Sequence, residues 1–160
     1  MDIRLAVEEE IEKILAIYDI ARQFMRENGN KNQWINGYPQ RQLLLDDIKN
    51  NNLYVITENS DIHGVFAFIL GDDATYHYIE GGNWPNNNYY GTIHRIGTDG
   101  TIHGALTFAR DFALKKVSTL RIDTHNDNKV MQHTVEKNGF KRCGIIYVED
   151  GSPRIVFQYN

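Results

Sequence analysis

The stretch HRIGTDGTIHGALTFAR, residues 94–110, constrains the fold more than any other part of the sequence. It begins with a strand pattern, passes through Gly97, Gly100 and Gly104, and continues into apolar residues at helical spacing. A strand, a glycine-containing loop and a helix in this order leave unpaired backbone N–H groups at the helix start, where anions are favoured. The segment therefore predicts a phosphate site, with a purely structural turn as the alternative.

The remaining patterns predict an α/β chain in the order β-α-α-β-β-β-α-β-α-β-β. Helical spacing covers residues 8–27, 38–51, 101–116 and 127–139. Strand patterns cover residues 2–7, 53–57, 63–70, 90–98, 119–125, 140–148 and 153–159. The section between the third and fourth strands is irregular, rich in aromatic residues, Gly and Asn, and fits either a pocket wall or a surface connection held by Trp84.

Composition is that of an ordinary globular protein, with 41% hydrophobic and 24% charged residues. We expect one domain over residues 1–160, because no linker or repeat interrupts the chain. A formal net charge of −4 without any cluster of Lys and Arg argues against nucleic-acid binding. No apolar run approaches the roughly 18–20 residues of a membrane span, and Cys143 has no second cysteine to pair with. We therefore expect a cytoplasmic protein that does not bind membranes.

The sequence resembles the GNAT superfamily of acyl-CoA-dependent N-acetyltransferases along essentially its whole length, and within it a bacterial group. The resemblance rests on the order of elements and on three signatures: HRI before the glycine loop, RIDTHNDNKVMQ, and EKNGFKRCGIIYV followed by GSPRIVFQY. It implies a single mixed, mostly antiparallel sheet with helices on both faces. The fourth and fifth strands splay apart, and acetyl-CoA lies between them as a cosubstrate.

The resemblance also implies which residues bind acetyl-CoA. Backbone groups of Ile96 and Thr98 would bond the pantetheine arm, and Asn128, which opens the fourth helix, would bond the cofactor or hold the cleft. The amides of the glycine loop would meet the pyrophosphate. The loop residues implicated are Gly100, Thr101, Ile102, His103 and Gly104.

Two departures from the family pattern concern this site. Where the family loop has small residues, this chain has Thr101 and His103, and Asp99 adds a negative charge beside the implied phosphates. Gly100 and Gly104 each lie one position away, so a shifted register would partly restore the room. Many members also have a tyrosine seven residues after the Asn to protonate the departing CoA thiolate, and that position is Val135 here.

The implied reaction is direct attack of an amine on the thioester, since no Ser/His/Asp or Cys/His pattern is present. His94 is the candidate base, with a structural role as its alternative. Tyr147 is the candidate replacement acid, also with a structural alternative. By strand alternation, Arg95 is expected to face away from His94 and to pair with an acid such as Asp123.

Two alternatives to an acetyltransferase site are a metal site and a protein without catalytic activity. The spacing in DTHND matches no established zinc pattern, so we expect no metal site. The altered loop and Val135 are compatible with a non-catalytic GNAT-fold interaction module. The acceptor is expected to be a small amine or a protein amino group, and paired subunits are common among the relatives.

Overall fold

One mixed sheet of seven strands organises the protein, and the computed structural model describes all residues 1–160. The strands are β1 (Asp2–Leu5), β2 (Leu53–Glu58), β3 (Asp61–Leu70), β4 (Gly91–Thr98), β5 (Leu120–Thr124), β6 (Lys141–Tyr147) and β7 (Pro153–Tyr159). The helices are α1 (Ile11–Glu27), α2 (Arg41–Lys49), α3 (Ala105–Leu114) and α4 (Lys129–Lys137). The predicted order of elements is confirmed.

The sheet divides between β4 and β5. Its strand order is β1-β2-β3-β4-β5-β7-β6, and every neighbouring pair is antiparallel except β4 and β5. Those two parallel strands pair only at Gly91 with Leu120 and at Thr92 with Arg121. Beyond Thr92 they part, which confirms the predicted mixed sheet that splays between its fourth and fifth strands.

Helices cover both faces of the sheet, as predicted. Val65 and Ala67 of β3 pack under α1 and α2, while Phe66 and Phe68 point to the core under α3 and α4, as alternation along a strand requires. The irregular segment 71–90 covers the β5–β7–β6 half on the same face as α1 and α2, where Tyr76 is buried. None of the helices combines the length and apolar composition needed to cross a bilayer.

A β-bulge interrupts β4 in the middle of the splayed region. Val65 pairs with Gly97 and Ala67 with His94. Phe66 of β3 therefore lies opposite two residues of β4, Arg95 and Ile96. Arg95 has a φ of 53°, a left-handed conformation that is uncommon for a residue with a side chain. The bulge breaks the alternation from which we predicted the direction of the Arg95 side chain.

The predicted helix starts differ from the observed ones. The first α-helix begins at Ile11 rather than residue 8, because a short 3-10 turn, Glu8–Glu10, precedes it. The third helix begins at Ala105 rather than residue 101, because Gly104 has a left-handed φ of 75° that no α-helical residue adopts. The second begins at Arg41, with Pro39 before it rather than in its first turn. The fourth is capped by Asn128 rather than Asp127.

Candidate active site

The parting of β4 and β5 opens a cleft of about 690 Å³. Its walls come from β4, β5, the start of α4, the segment between α1 and α2, and the turn between β6 and β7. Among the predicted site residues, His94, Ile96 and Asn128 line it. Thr98, the loop residues 100–104 and Tyr147 do not.

His94 lies in this cleft beside a carboxylate. Its Nε2 atom is 3.3 Å from Oδ2 of Asp73, a residue from the irregular segment after β3. The hydrogen bond with His94, opposed by partial burial and reinforced by bonds from Thr75, lowers the pKa of Asp73 to about 2. A histidine held by an ionised carboxylate through one ring nitrogen keeps the other nitrogen free to accept a proton.

Arg95 does not pair with Asp123, contrary to our prediction. Its Nη2 atom is 2.8 Å from Oδ2 of Asp47 on α2, and its Nε atom bonds the same oxygen at 3.1 Å. The third guanidinium nitrogen, Nη1, donates to the phenol oxygen of Tyr38 at 3.3 Å. The bulge turns the side chain toward α2, so Asp47 rather than a residue of β5 becomes its partner.

Asp123 instead accepts a hydrogen bond of 2.6 Å from the phenol of Tyr76. Tyr76 is buried, and burial together with the nearby Asp123 charge raises its pKa well above the usual value. Tyr76 therefore stays protonated and fixes the Asp123 carboxylate on the wall of the cleft.

The glycine loop presents free backbone donors, but in a shifted register. The N–H of Gly100 donates to Thr98 Oγ1 at 3.1 Å, and the N–H of Thr101 donates to Asp99 Oδ1 at 3.0 Å. The N–H groups of residues 102–107 donate to no other protein atom. The amides available to an anion therefore begin at Ile102 and continue into the first turn of α3.

Asp99 is held within this loop by its neighbours. Its carboxylate accepts bonds from Thr101 and lies 2.8 Å from Nδ1 of His63. Partial burial raises its pKa, but the hydrogen bonds from Thr101 and His63 outweigh that effect and leave the pKa below its usual value. Asp99 therefore carries a full negative charge at neutral pH.

Asn128 has two hydrogen-bonding roles at the start of α4. Its Oδ1 atom accepts from the backbone N–H of Met131 at 3.0 Å, which caps the helix. Its Nδ2 atom donates to Oε1 of Gln33 at 3.2 Å, and Gln33 belongs to the segment between α1 and α2. Asn128 thus ties that segment to one wall of the cleft, and its predicted contact with the cofactor stays a prediction.

Tyr147 lies outside the cleft, on β6 at the edge of the sheet. It is 40% exposed, stacks on Tyr78, and donates a hydrogen bond to the carboxylate of Glu80. This bond is the main reason that its pKa is raised. The position provides no support for Tyr147 as a proton donor, although that role stays a prediction.

Several residues that line the cleft were not predicted from the sequence. Gln33 and Asp73 come from irregular segments in which no periodic pattern or motif distinguishes them. Tyr38 falls within the range predicted as the second helix but lies in the irregular segment before that helix. Asp47 lies on α2 next to Asp46, and in the sequence two adjacent acids indicate an exposed position. Asp47 is only 6% exposed and pairs with Arg95 of β4, a long-range contact that the sequence does not encode locally.

Solved structures similar to this chain include several acetyltransferases and a GNAT-like decarboxylase. A GNAT-family acetyltransferase from Streptococcus agalactiae is 32% identical, with a TM-score of 0.86 over 98% of this chain and 93% of that one. A putative acetyltransferase from Staphylococcus aureus is 24% identical, with a TM-score of 0.73 over 100% and 99% of the two chains. A putative acetyltransferase from Salmonella typhimurium, solved with acetyl-CoA, is 15% identical, with a TM-score of 0.62 over 99% and 92%. No protein-family model and no curated protein sequence matches the chain.

Proposed function

This chain belongs to the GNAT family of acetyltransferases, and we propose that it transfers an acetyl group from acetyl-CoA to a primary amine by direct attack. The observation that carries the proposal is the gap between β4 and β5, which opens beyond Thr92 beside a histidine–carboxylate pair. The acetyl-CoA-bound structure from Salmonella typhimurium, which shares this fold, supports acetyl-CoA as the donor.

We place the pantetheine arm of acetyl-CoA along the open edge of β4 near Ile96 and Thr98. That edge has no strand partner beyond Thr92, so its backbone groups are available to the amides of the arm. The diphosphate then meets the free N–H groups from Ile102 onward, aided by the positive end of the α3 dipole. The shifted register keeps the phosphates away from Gly100 and Thr101, whose amides are already bonded.

We assign His94 the role of general base. An amine that attacks the thioester carbonyl loses a proton, and the free nitrogen of His94 accepts it while Asp73 stabilises the imidazolium. The cleft is lined by no Cys, Ser or Lys, so no side chain of these kinds is available to form an acyl-enzyme. Direct transfer in one step fits these residues best.

The acceptor side of the cleft supports an amine substrate. Asp73, Asp123, Glu149 and Asp150 line it, and carboxylates favour a cationic amine before it loses its proton. We propose a small-molecule amine or a protein amino group as acceptor, in a bacterial cytoplasm, with a homodimer as the assembly to test. The non-catalytic interaction module stays the rival, on account of Asp99, Thr101, His103 and Val135.

Calorimetric titration with acetyl-CoA tests the proposal first. We expect micromolar binding and a rise in Tm, because a ligand at 100 times its Kd adds about 2.7 kcal/mol to the free energy of unfolding. Putrescine, an amino-acid amide and a short peptide with a free amino terminus then serve as acceptors, with release of the CoA thiol and the mass of the acetylated product as readouts. Absence of both heat and a Tm change at millimolar acetyl-CoA would contradict the proposal and favour the module.

A further inference from the structure

The proposed reaction releases CoA as a thiolate, which has to take up a proton. Val135, seven residues after Asn128, is fully buried and has no proton to donate. Tyr147 is directed to Glu80 at the sheet edge. The proton must therefore come from another side chain in the cleft or from solvent.

The chemistry of the cleft narrows the choice. An effective donor holds its proton at neutral pH and releases it to the sulfur of the CoA thiolate, which then becomes a thiol. Carboxylic acids are ionised at this pH, and Asp73 in particular has a pKa of about 2. His94 is already used as the base. Tyr38 is the only tyrosine that lines the cleft, and phenols and thiols have similar proton affinities.

Tyr38 is also held in one orientation by three contacts. Its backbone oxygen accepts from Nη1 of Arg22 at 3.0 Å, and its ring packs against Trp34 with centroids 6.4 Å apart. Its phenol oxygen accepts from Nη1 of Arg95 at 3.3 Å. Arg95 in turn is fixed on the buried Asp47, so the guanidinium cannot swing away from the phenol.

The phenol proton of Tyr38 is uncommitted, in contrast to those of three other tyrosines. Tyr18 donates to the backbone oxygen of Arg95, Tyr76 donates to Asp123, and Tyr147 donates to Glu80. Tyr38 accepts a bond from a cation but donates to no protein atom. A donated bond from a guanidinium stabilises the negative charge that appears on the oxygen when the proton leaves.

We propose that Tyr38 is the general acid of the transfer, an inference that rests on the proposed function. As the amine nitrogen bonds to the acetyl carbon, the C–S bond breaks, the electron pair stays on sulfur, and the sulfur takes the proton of Tyr38. Arg95 stabilises the phenolate as a positioning residue. The proton that His94 removes from the amine restores the phenol through water, so no net charge accumulates over one turnover.

The substitution Tyr38→Phe tests this role, because it keeps the ring that packs on Trp34 and removes only the hydroxyl. We expect kcat to fall about a hundredfold, with the calorimetric Kd of acetyl-CoA unchanged and only a small fall in Tm from the lost bond with Arg95. Tyr89→Phe is the matched control: Tyr89 is 65% exposed and lies outside the cleft, so kcat should not change. A Tyr38→Phe variant with wild-type kcat would overturn the proposal.

The pH profile of kcat separates proton transfer from packing. A required phenol proton produces a fall in kcat at alkaline pH, and Tyr38→Phe should abolish that fall. Fluorotyrosine at position 38, which is more acidic, should move the fall to lower pH; an unmoved profile would contradict the proposal. The phenol faces Tyr18 from α1 and Arg95 from β4, whose guanidinium bonds its oxygen. Arg22 from α1 bonds the backbone oxygen of Tyr38, and Asp47 from α2 and His94 from β4 lie around Arg95.

The substitution Tyr147→Phe tests the competing assignment, in which Tyr147 rather than Tyr38 is the acid. If it lowers kcat while Tyr38→Phe does not, the acid is Tyr147 and the inference fails although the proposed function stands. If wild-type protein binds no acetyl-CoA and acetylates none of the three acceptors, the proposed function itself fails. The two failures are therefore distinguishable with the same preparations.

Discussion

His94 and Asp73 come from different elements, and their contact keeps Asp73 ionised and orients His94. Asp73 follows the end of β3, whereas His94 lies on β4 next to the bulge. The bond between them stabilises the ionised carboxylate and orients the imidazole. One long-range contact thus orients a strand histidine whose role is ambiguous in the sequence, and we propose this histidine as the base.

The lowered pKa of Asp73 predicts a pH dependence of stability. Its pKa is about 2 in the folded protein against a reference of 3.8, so its stabilising effect is present above pH 3.8 and is lost as the pH falls through 2. We expect Asp73→Asn to lower the free energy of unfolding at pH 7, with the difference from wild type shrinking between pH 4 and pH 2. Urea unfolding across this range measures it. The neighbouring Asp72→Asn is the control, because the Asp72 side chain is 67% exposed; equal effects of both variants would refute the assignment.

At the scale of elements, the start of α3 decides where an anion can bind. The left-handed Gly104 delays the helix to Ala105 and leaves the amides from Ile102 onward without protein acceptors. A Cβ atom at Gly104 would meet nothing within 4 Å, so the surface beside the helix start is open. The same φ of 75° strains any residue with a side chain at this position.

The pair Gly104→Glu and Gly104→Gln uses this geometry to isolate charge. Both side chains suffer the same backbone strain and have nearly the same size, so their losses of stability should match. Only glutamate adds a negative charge where we place the diphosphate, and we expect acetyl-CoA binding at least tenfold weaker than in the glutamine variant. Calorimetry at low and high salt checks the result, since screening should narrow the difference. Equal affinities would remove the diphosphate from this loop.

At the scale of the whole molecule, the split sheet needs other connections between its halves. Beyond Thr92 no strand pairing joins β4 to β5. The segment between α1 and α2 spans the gap, with Tyr38 bonded to Arg95 on one side and Gln33 bonded to Asn128 on the other. The cleft is therefore held open by a bridge of side chains rather than closed by backbone hydrogen bonds.

The buried ion pair between Arg95 and Asp47 anchors one end of that bridge. Asp47→Asn leaves the Arg95 cation buried without a counter-charge, and we expect a loss of about 3–5 kcal/mol in the free energy of unfolding. Replacing both partners, as Arg95→Met with Asp47→Leu, should recover much of that loss. The exposed neighbour serves as control, since Asp46→Asn should change stability by less than about 0.5 kcal/mol. Chemical denaturation measures all three, and a negligible effect of Asp47→Asn would show that the pair is unimportant.

The sequence alone determined the order of elements through its periodic patterns, and its family resemblance implied the divided sheet. Periods of two and of 3.6 residues are local properties, so the patterns located every strand and helix to within a few residues. Helix ends were less certain because they depend on backbone conformation, as at Gly104, where a glycine inside an apolar pattern ended up left-handed. The resemblance carried by the glycine loop and the EKNGF segment then predicted the family correctly.

Only the tertiary structure decided which side chains share the cleft. The bulge at Arg95 reversed the direction expected from strand alternation and exchanged Asp123 for Asp47 as its partner. Tyr38 and Asp73 entered the cleft from irregular segments, while Tyr147 was left on the sheet edge. Long-range packing joins residues that local patterns treat as unrelated, so the chemistry of this cleft follows from how its segments meet in space.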